Sequence, residues 1–332
     1  MSQKWAYDGI QALSIRSKQA MISDTHSFLY LGTYDNLNIK KLVFEQRLDH
    51  QTTFDSGTAA TIIIIKDSET LVPDPEARRQ QRLTGSQNSI TLQEIVELEQ
   101  VSAPYLKTWA IFYMLNALRN APDFQFEDYM HKDSDVFNAP SPVMQLSTGP
   151  ESATCQYVLD TMHIDEASYE GNDRVFKDIW HQLGLDTPEK QQHLGHDCVI
   201  PWVGDQLTVS RIRGLQVFRC QDLNAFDRLE HLETQPGWLH LQMALENSLH
   251  TQYFGTRAGL GLIHAAELLN RKGVHTPSVQ GTFHHTIQEL LEHVAEARFR
   301  DLWCTVSGVP SLADLRSKTP TQLHEIAVYI VN

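Results

Sequence analysis

Two aspartates follow apolar, strand-like runs at widely separated places: Asp35 after "FLYLGTY" and Asp205 after "VIPWVG". A carboxylate held at the rim of a sheet can ligate a divalent cation or move a proton, provided that the fold brings it a partner. Two such carboxylates repel one another unless Mg²⁺ or Mn²⁺ neutralises them, so the pair points to metal-dependent chemistry. Each also has a plainer reading. Asp and Asn end strands by bonding local backbone, and Asp205 is placed to cap the helix that follows it. Asn36 and Asn38 would be turn or outer-sphere residues beside Asp35, with Gln206 and Thr208 orienting Asp205 and Gly204 permitting close backbone approach.

In "RLEHLETQPGWLHLQMALENSLHTQYFGT", Trp238, His240, Met243 and Glu246 fall at changing offsets, and a lone His or Glu there is usually structural or exposed. A helix from about His240 is expected to bury Leu241, Ala244, Leu245, Ser248 and Leu249 and to leave Glu246 on another face. "HLGHDC", His193 to Cys198, holds metal-capable residues, but loop histidines beside an isolated cysteine usually bind nothing, and no site is assigned there.

The elements that must position these residues follow from periodicity. Phe28 to Asp35, Phe44 to Thr53 and the β-branched Thr58 to Lys66 read as a three-stranded meander, with a turn at Asp55 to Gly57. Asp67 to Ser89 is polar and reads as a loop. Thr91 and Glu94 have capping-box spacing at the start of a helix that Pro104 interrupts, and a second helix runs from Tyr105 to Leu118. Its expected face comprises Leu106, Trp109, Ala110, Tyr113 and Ala117. From Asn120 to about His196 periodicity fades, apart from a helix near Asp173 to Leu183, and the stretch reads as an insertion. Val199 to Val203 is a short buried strand, a further strand precedes Pro236–Gly237, and everything after Arg257 is helical, with Leu302 and Trp303 expected to be buried.

The chain has 332 residues, 41% hydrophobic and 20% charged, enough to bury a sizeable core. No apolar run reaches the roughly 18 residues of a membrane span, and the start "MSQKWAYDGI" lacks signal-peptide order, so no membrane role is expected and the setting is intracellular, nucleus or cytoplasm. The four cysteines lie far apart and form no CxxC pair, so neither a zinc ribbon nor a disulfide framework is suggested. A formal charge of -14 disfavours broad electrostatic attraction to nucleic acid, so any such contact is local.

Taken in order, "YDNLNIKKLVFEQRLDHQTTFDSGTAATIII", "HIDEASYEGN", "VGDQLTVSRIRGLQ", "PGWLHLQM" and "AELLNRKGV" resemble DUF6589, a family of uncharacterised fungal and metazoan proteins, and the resemblance implies a relative of mobile-element origin. The order of elements is similar to the ribonuclease H-like fold of integrase-like and transposase enzymes. That likeness implies an α/β mixed sheet in which the first strand and the strand before Asp205 lie side by side and parallel, each bringing a metal-binding Asp, with a third acid on a later helix. It sets the expected organisation: a ribonuclease H-like core over 1–256 with an insertion at about 120–196, and a helical subdomain over 257–332. Asp35, Asp205, Glu246 and His240 are the expected catalytic residues, and Asp35, Asp205 and Glu246 the ligands of Mg²⁺ or Mn²⁺. The expected chemistry is phosphodiester cleavage or strand transfer on DNA, in which metals about 3.5 to 4 Å apart activate the attacking oxygen and stabilise the leaving one. The alternative is a domesticated, non-catalytic interaction or nucleic-acid-binding protein on the same fold, with a protein partner or a second copy of itself.

Overall fold

The computed structural model describes residues 3–41, 53–66, 74–143, 145, 147–270 and 284–332. In chain order the elements are α1 (Gln3–Ser27), β1 (Leu29–Lys41), β2 (Thr53–Ile65), α2 (Pro75–Gln87), α3 (Leu92–Arg119), β3 (Cys155–Val158), α4 (Tyr169–Gln182), α5 (Pro188–Asp197), β4 (Ile200–Gly204), α6 (Gln206–Phe218), β5 (Leu232–Pro236), α7 (Trp238–Gln252), α8 (Leu262–Leu268), α9 (His284–Ser307) and α10 (Pro320–Val331). They divide into two compact units, Met1–Asn88 with Leu146–Leu241, and Ser89–Gln145 with Gln242–Asn332. The expected boundary at 256 is not a point where the chain changes unit.

In the first unit, the described strands form one mixed sheet in the order β3-β2-β1-β4-β5. β1 runs antiparallel to β2, and β2 antiparallel to β3. β4 is parallel to both β1 and β5. Strand periodicity explains the core face of β1: Tyr30, Gly32 and Tyr34 are buried while the residues between them are less so. On β2 the matching residues are Ile64, Ile62 and Ala60, which pair with those three in turn, so Gly32 stands opposite Ile62 and Ala60 opposite Tyr34. The stripe Val175, Phe176, Ile179, Trp180 and Leu183 on α4 shares this core. Phe176 and Tyr34 meet edge-on with ring centroids 5.6 Å apart, and Trp202 of β4 lies 5.0 Å from Phe176.

Several expectations are corrected here. Asp35 does not end its strand. β1 continues to Lys41 because β2 pairs with it along its whole length, Asp35 standing opposite Ala59. The expected strand over Phe44 to Thr53 lies, up to residue 52, outside the described residues, and Asp55 to Gly57 belong to β2 rather than to a turn. The third antiparallel strand is β3, inside the stretch read as an insertion. Four residues between loops are too few to give a periodic signal, and α4, which follows, supplies part of the sheet's core. Within the expected loop after Lys66, residues 67–73 lie outside the described residues and the rest holds α2, capped by Asp74 through the Ala77 N–H at 2.9 Å.

In the second unit, α3 is one helix with Pro104 inside it, opened by the expected Thr91/Glu94 capping box. Its buried residues are Met114, Leu115, Ala117 and Leu118, whereas Leu106 and Tyr113 of the expected face are exposed. Met114, Leu115 and Leu118 share a core with Phe124, Tyr129, Phe137, Trp303, Leu315 and Leu323. Trp303 is fully buried and donates from Nε1 to the Met114 carbonyl at 2.9 Å, which removes the cost of an unpaired indole N–H. Leu302, expected to be buried beside it, is 38% exposed, because the adjacent helical position points away from the core that Trp303 enters. Among the described residues no helix is long and apolar enough to cross a membrane.

Candidate functional site

The parallel ladder between β1 and β4 includes the pairs Gly32 with Trp202 and Thr33 with Val203. Asp35 and Asp205 each lie two residues past the second pair. Strand alternation buries Tyr34 and leaves Asp35 exposed. The Asp35 Oδ1 accepts the N–H of Asn36 at 2.8 Å. Asp205 is half-buried and caps α6, its Oδ1 accepting the Thr208 N–H at 2.6 Å, so one oxygen is committed to the helix. Gly204 is required just before it, since a Cβ there would stand 2.6 Å from the Thr208 methyl carbon. The capping and site readings of Asp205 are therefore compatible.

A third carboxylate joins them, and it is not one that the sequence pattern singled out. Glu166 lies between β3 and α4, is 4% exposed, and has an Oε2 with no hydrogen-bond partner among the described residues. Burial first, and then the negative charges of Asp35, Asp205 and Asp165, push its carboxyl up to about 7; a bond from the Asn36 N–H works in the opposite direction. The same neighbourhood acts on Tyr34, whose hydroxyl is held well above its ordinary value by burial and then by Glu166 and Asp205. Glu166 thus senses both Asp35 and Asp205 electrostatically. Among the described residues no group of three or more His, Cys, Asp or Glu side chains is arranged to hold a metal ion.

His240 opens α7 and is exposed. A Cβ on Gly237 would stand 3.4 Å from the Gly204 carbonyl oxygen and 3.9 Å from the His240 Cδ2, and Gly237 donates to that carbonyl at 2.7 Å. The imidazole therefore stands beside the strand end that carries Asp205. Glu246 belongs to the second unit. The expected helix faces of α7 are reversed: Glu246 and His250 are buried, while Leu241 and Leu245 are 52% and 58% exposed. The Glu246 Oε1 accepts from Gln242 Nε2 at 2.7 Å, and its Oε2 has no partner among the described residues. Asn38 is in β1, but its side chain lies outside the described residues. In the "HLGHDC" run, His193 and His196 both turn Nδ1 toward Asp197, at 2.8 and 2.9 Å.

Residues 85–332 match the model of a family of unknown function, DUF6589. The chain belongs to that family. The DUF6589 match takes in Glu166 and Asp205 and begins after Asp35, so it covers two of the three carboxylates. No curated protein and no solved structure matches the chain.

Proposed function

We propose that this DUF6589 member is a ribonuclease H-like protein in which Asp35, Glu166 and Asp205 bind Mg²⁺ or Mn²⁺ for phosphodiester cleavage or strand transfer on DNA. The observation that carries the reading is Glu166, a buried carboxylate with an unpartnered oxygen, raised in pKa by burial and by the two aspartates. A buried carboxyl short of a partner, among other carboxylates, is a costly arrangement that a divalent cation would relieve. The donor set, all carboxylate oxygen, suits a hard cation. The strand order, with β1 parallel to β4 and antiparallel to β2, supports the fold assignment.

When bound, the cation would polarise a phosphoryl oxygen and lower the pKa of an attacking water or 3′-hydroxyl. The chain's own residues hold the site. Asp205 is kept in place by its helix cap, and Glu166 by the Asn36 N–H and its buried loop. His240, exposed beside Gly204, is the group that could pass a proton to or from the substrate. With a chain charge of -14, DNA binding would rest on local contacts and on the cation, and a DNA substrate would place the protein in the nucleus.

A domesticated, non-catalytic role is favoured by a different observation. A groove of about 820 Å³ lies beside α4 and α6, lined by Tyr169, Arg213, Leu215 and Arg219, with Val217 and Phe218 exposed at 74% and 86%. Exposed apolar side chains beside a groove suit a protein partner or a second copy of the chain. One experiment separates the readings: incubation of the purified protein with radiolabelled single- and double-stranded DNA in Mn²⁺. Cleavage or joined strands, lost in Asp35→Asn, supports the enzyme; Mn²⁺ binding with intact DNA supports the domesticated protein.

A further inference from the structure

The loop that carries Glu166 is held at both ends by buried polar side chains from outside it. Thr58 of β2, fully buried, stands opposite Asn36 in the β1 ladder, and its Oγ1 donates to the Ile164 carbonyl at 2.7 Å. Its backbone also exchanges two hydrogen bonds with Met162, at 2.8 and 2.9 Å. On the other side, Asn172 of α4, also fully buried, donates from Nδ2 to the Glu166 carbonyl and, at 2.7 Å, to the Ser168 carbonyl. The Asn172 Oδ1 accepts the hydroxyl of Tyr34, the residue immediately before Asp35. Ser168 caps α4 through the Gly171 N–H at 2.9 Å, and a Cβ on Gly171 would stand 1.8 Å from the Asp165 carbonyl oxygen, so the loop is pressed onto the helix start.

This chain of bonds is more than core satisfaction. A buried Tyr hydroxyl needs one partner, and a lone water or carbonyl would serve. Here the partner is the side chain that fixes the main chain of Glu166, so β1 sets the position of Asp35 and of the opposing carboxyl through adjacent residues. Carboxylates that repel one another drift apart unless their backbones are held.

We propose that Asn172, locked by Tyr34, is a positioning residue that holds Glu166 against Asp35 and Asp205 for cation binding. The inference rests on the metal-site reading above. Its test is calorimetric titration of the full chain with Mn²⁺, comparing wild type, Tyr34→Phe, Asn172→Ala and Glu166→Gln, and the double variant Asn172→Ala/Glu166→Gln, each checked for a cooperative melt in chelator. Asn172→Ala is expected to weaken Mn²⁺ about 10- to 100-fold, the range found for outer-sphere partners, and Tyr34→Phe less. Acting through Glu166, Asn172→Ala should add no further loss in the Glu166→Gln background, which a merely structural role would not produce. An undiminished affinity in Tyr34→Phe and Asn172→Ala, while Asp35→Asn and Glu166→Gln weaken binding, would overturn the positioning role alone. Equal losses from Asn172→Ala in both backgrounds would do the same. Wild-type protein that does not bind Mn²⁺ at all would overturn the site and the positioning role together. If Asn172→Ala fails to melt cooperatively, Tyr34→Phe, which removes one oxygen, carries the test.

Discussion

Thr33 pairs with Val203 across the parallel ladder, and this single register brings Asp35 and Asp205, 170 positions apart in number, to the same level of the sheet. A slip of one residue would move every β1 side chain to the opposite face. Trp202, paired with Gly32 and packed on Tyr34 and Phe176, pins it. Trp202→Ala should cost about 3 to 5 kcal/mol in urea unfolding, the range for a fully buried aromatic. A loss below about 1 kcal/mol would mean that the register is held elsewhere.

Glu166 and Glu246 are both buried with an oxygen unpartnered among the described residues, and Asp35 and Asp205 are among the charges that raise the Glu166 carboxyl. Glu166→Gln is therefore expected to weaken Mn²⁺ binding at least tenfold, and Glu246→Gln to leave it within about twofold. Competition against a fluorescent chelator reads both. The reverse ranking would move the third ligand to α7.

The raised carboxyl of Glu166 has a consequence for the metal-free protein. Between its ordinary value of 4.5 and about 7 the folded state keeps a proton that the unfolded state has released. Stability from this group is full below pH 4.5 and is lost as pH rises to 7, by roughly 3 kcal/mol in all. In chelator, wild type should lose that much relative to Glu166→Gln across the window, as read by denaturant midpoints. Parallel curves for the two proteins would contradict it.

His231 produces the opposite slope. It is fully buried, stacked on Phe226 with ring centroids 5.4 Å apart, and both ring nitrogens are without partners among the described residues. Burial, and then the charge of Arg82, lower its pKa to about 3. Its contribution is present above 6.5 and lost as pH falls toward 3, by up to roughly 5 kcal/mol. His231→Phe should flatten that acid limb in a pH series of thermal melts, and an unchanged acid limb would show that the imidazole is not its source.

The strands before the two aspartates were legible because each is an apolar run that announces a strand, and the parallel placement of β4 beside β1 was expected from the likeness to the ribonuclease H-like fold. Glu166 was not. It stands in a loop after a four-residue strand, where no period exists to read, and the one available signal was the Ser168 cap opening α4 just beyond it. The strand after Asp35 was missed because Asn36 and Asn38 resemble a turn locally, while β2 pairing carries them in the ladder. On α7 the leucines suggested a buried face, yet Glu246 and His250 are the buried side chains. Helical spacing identifies which residues share a face but not which face the tertiary structure covers.

The central claim is that Asp35 and Asp205 are ligands of one divalent cation, and calorimetric titration with Mn²⁺ tests it most directly. Wild type should bind, and Asp35→Asn and Asp205→Asn should each weaken binding by at least tenfold while melting cooperatively, since loss of one anionic ligand leaves the cation undercompensated. Asp205→Asn retains a capping side chain, so the helix survives the substitution. Mn²⁺ affinity unchanged in both variants would contradict the account.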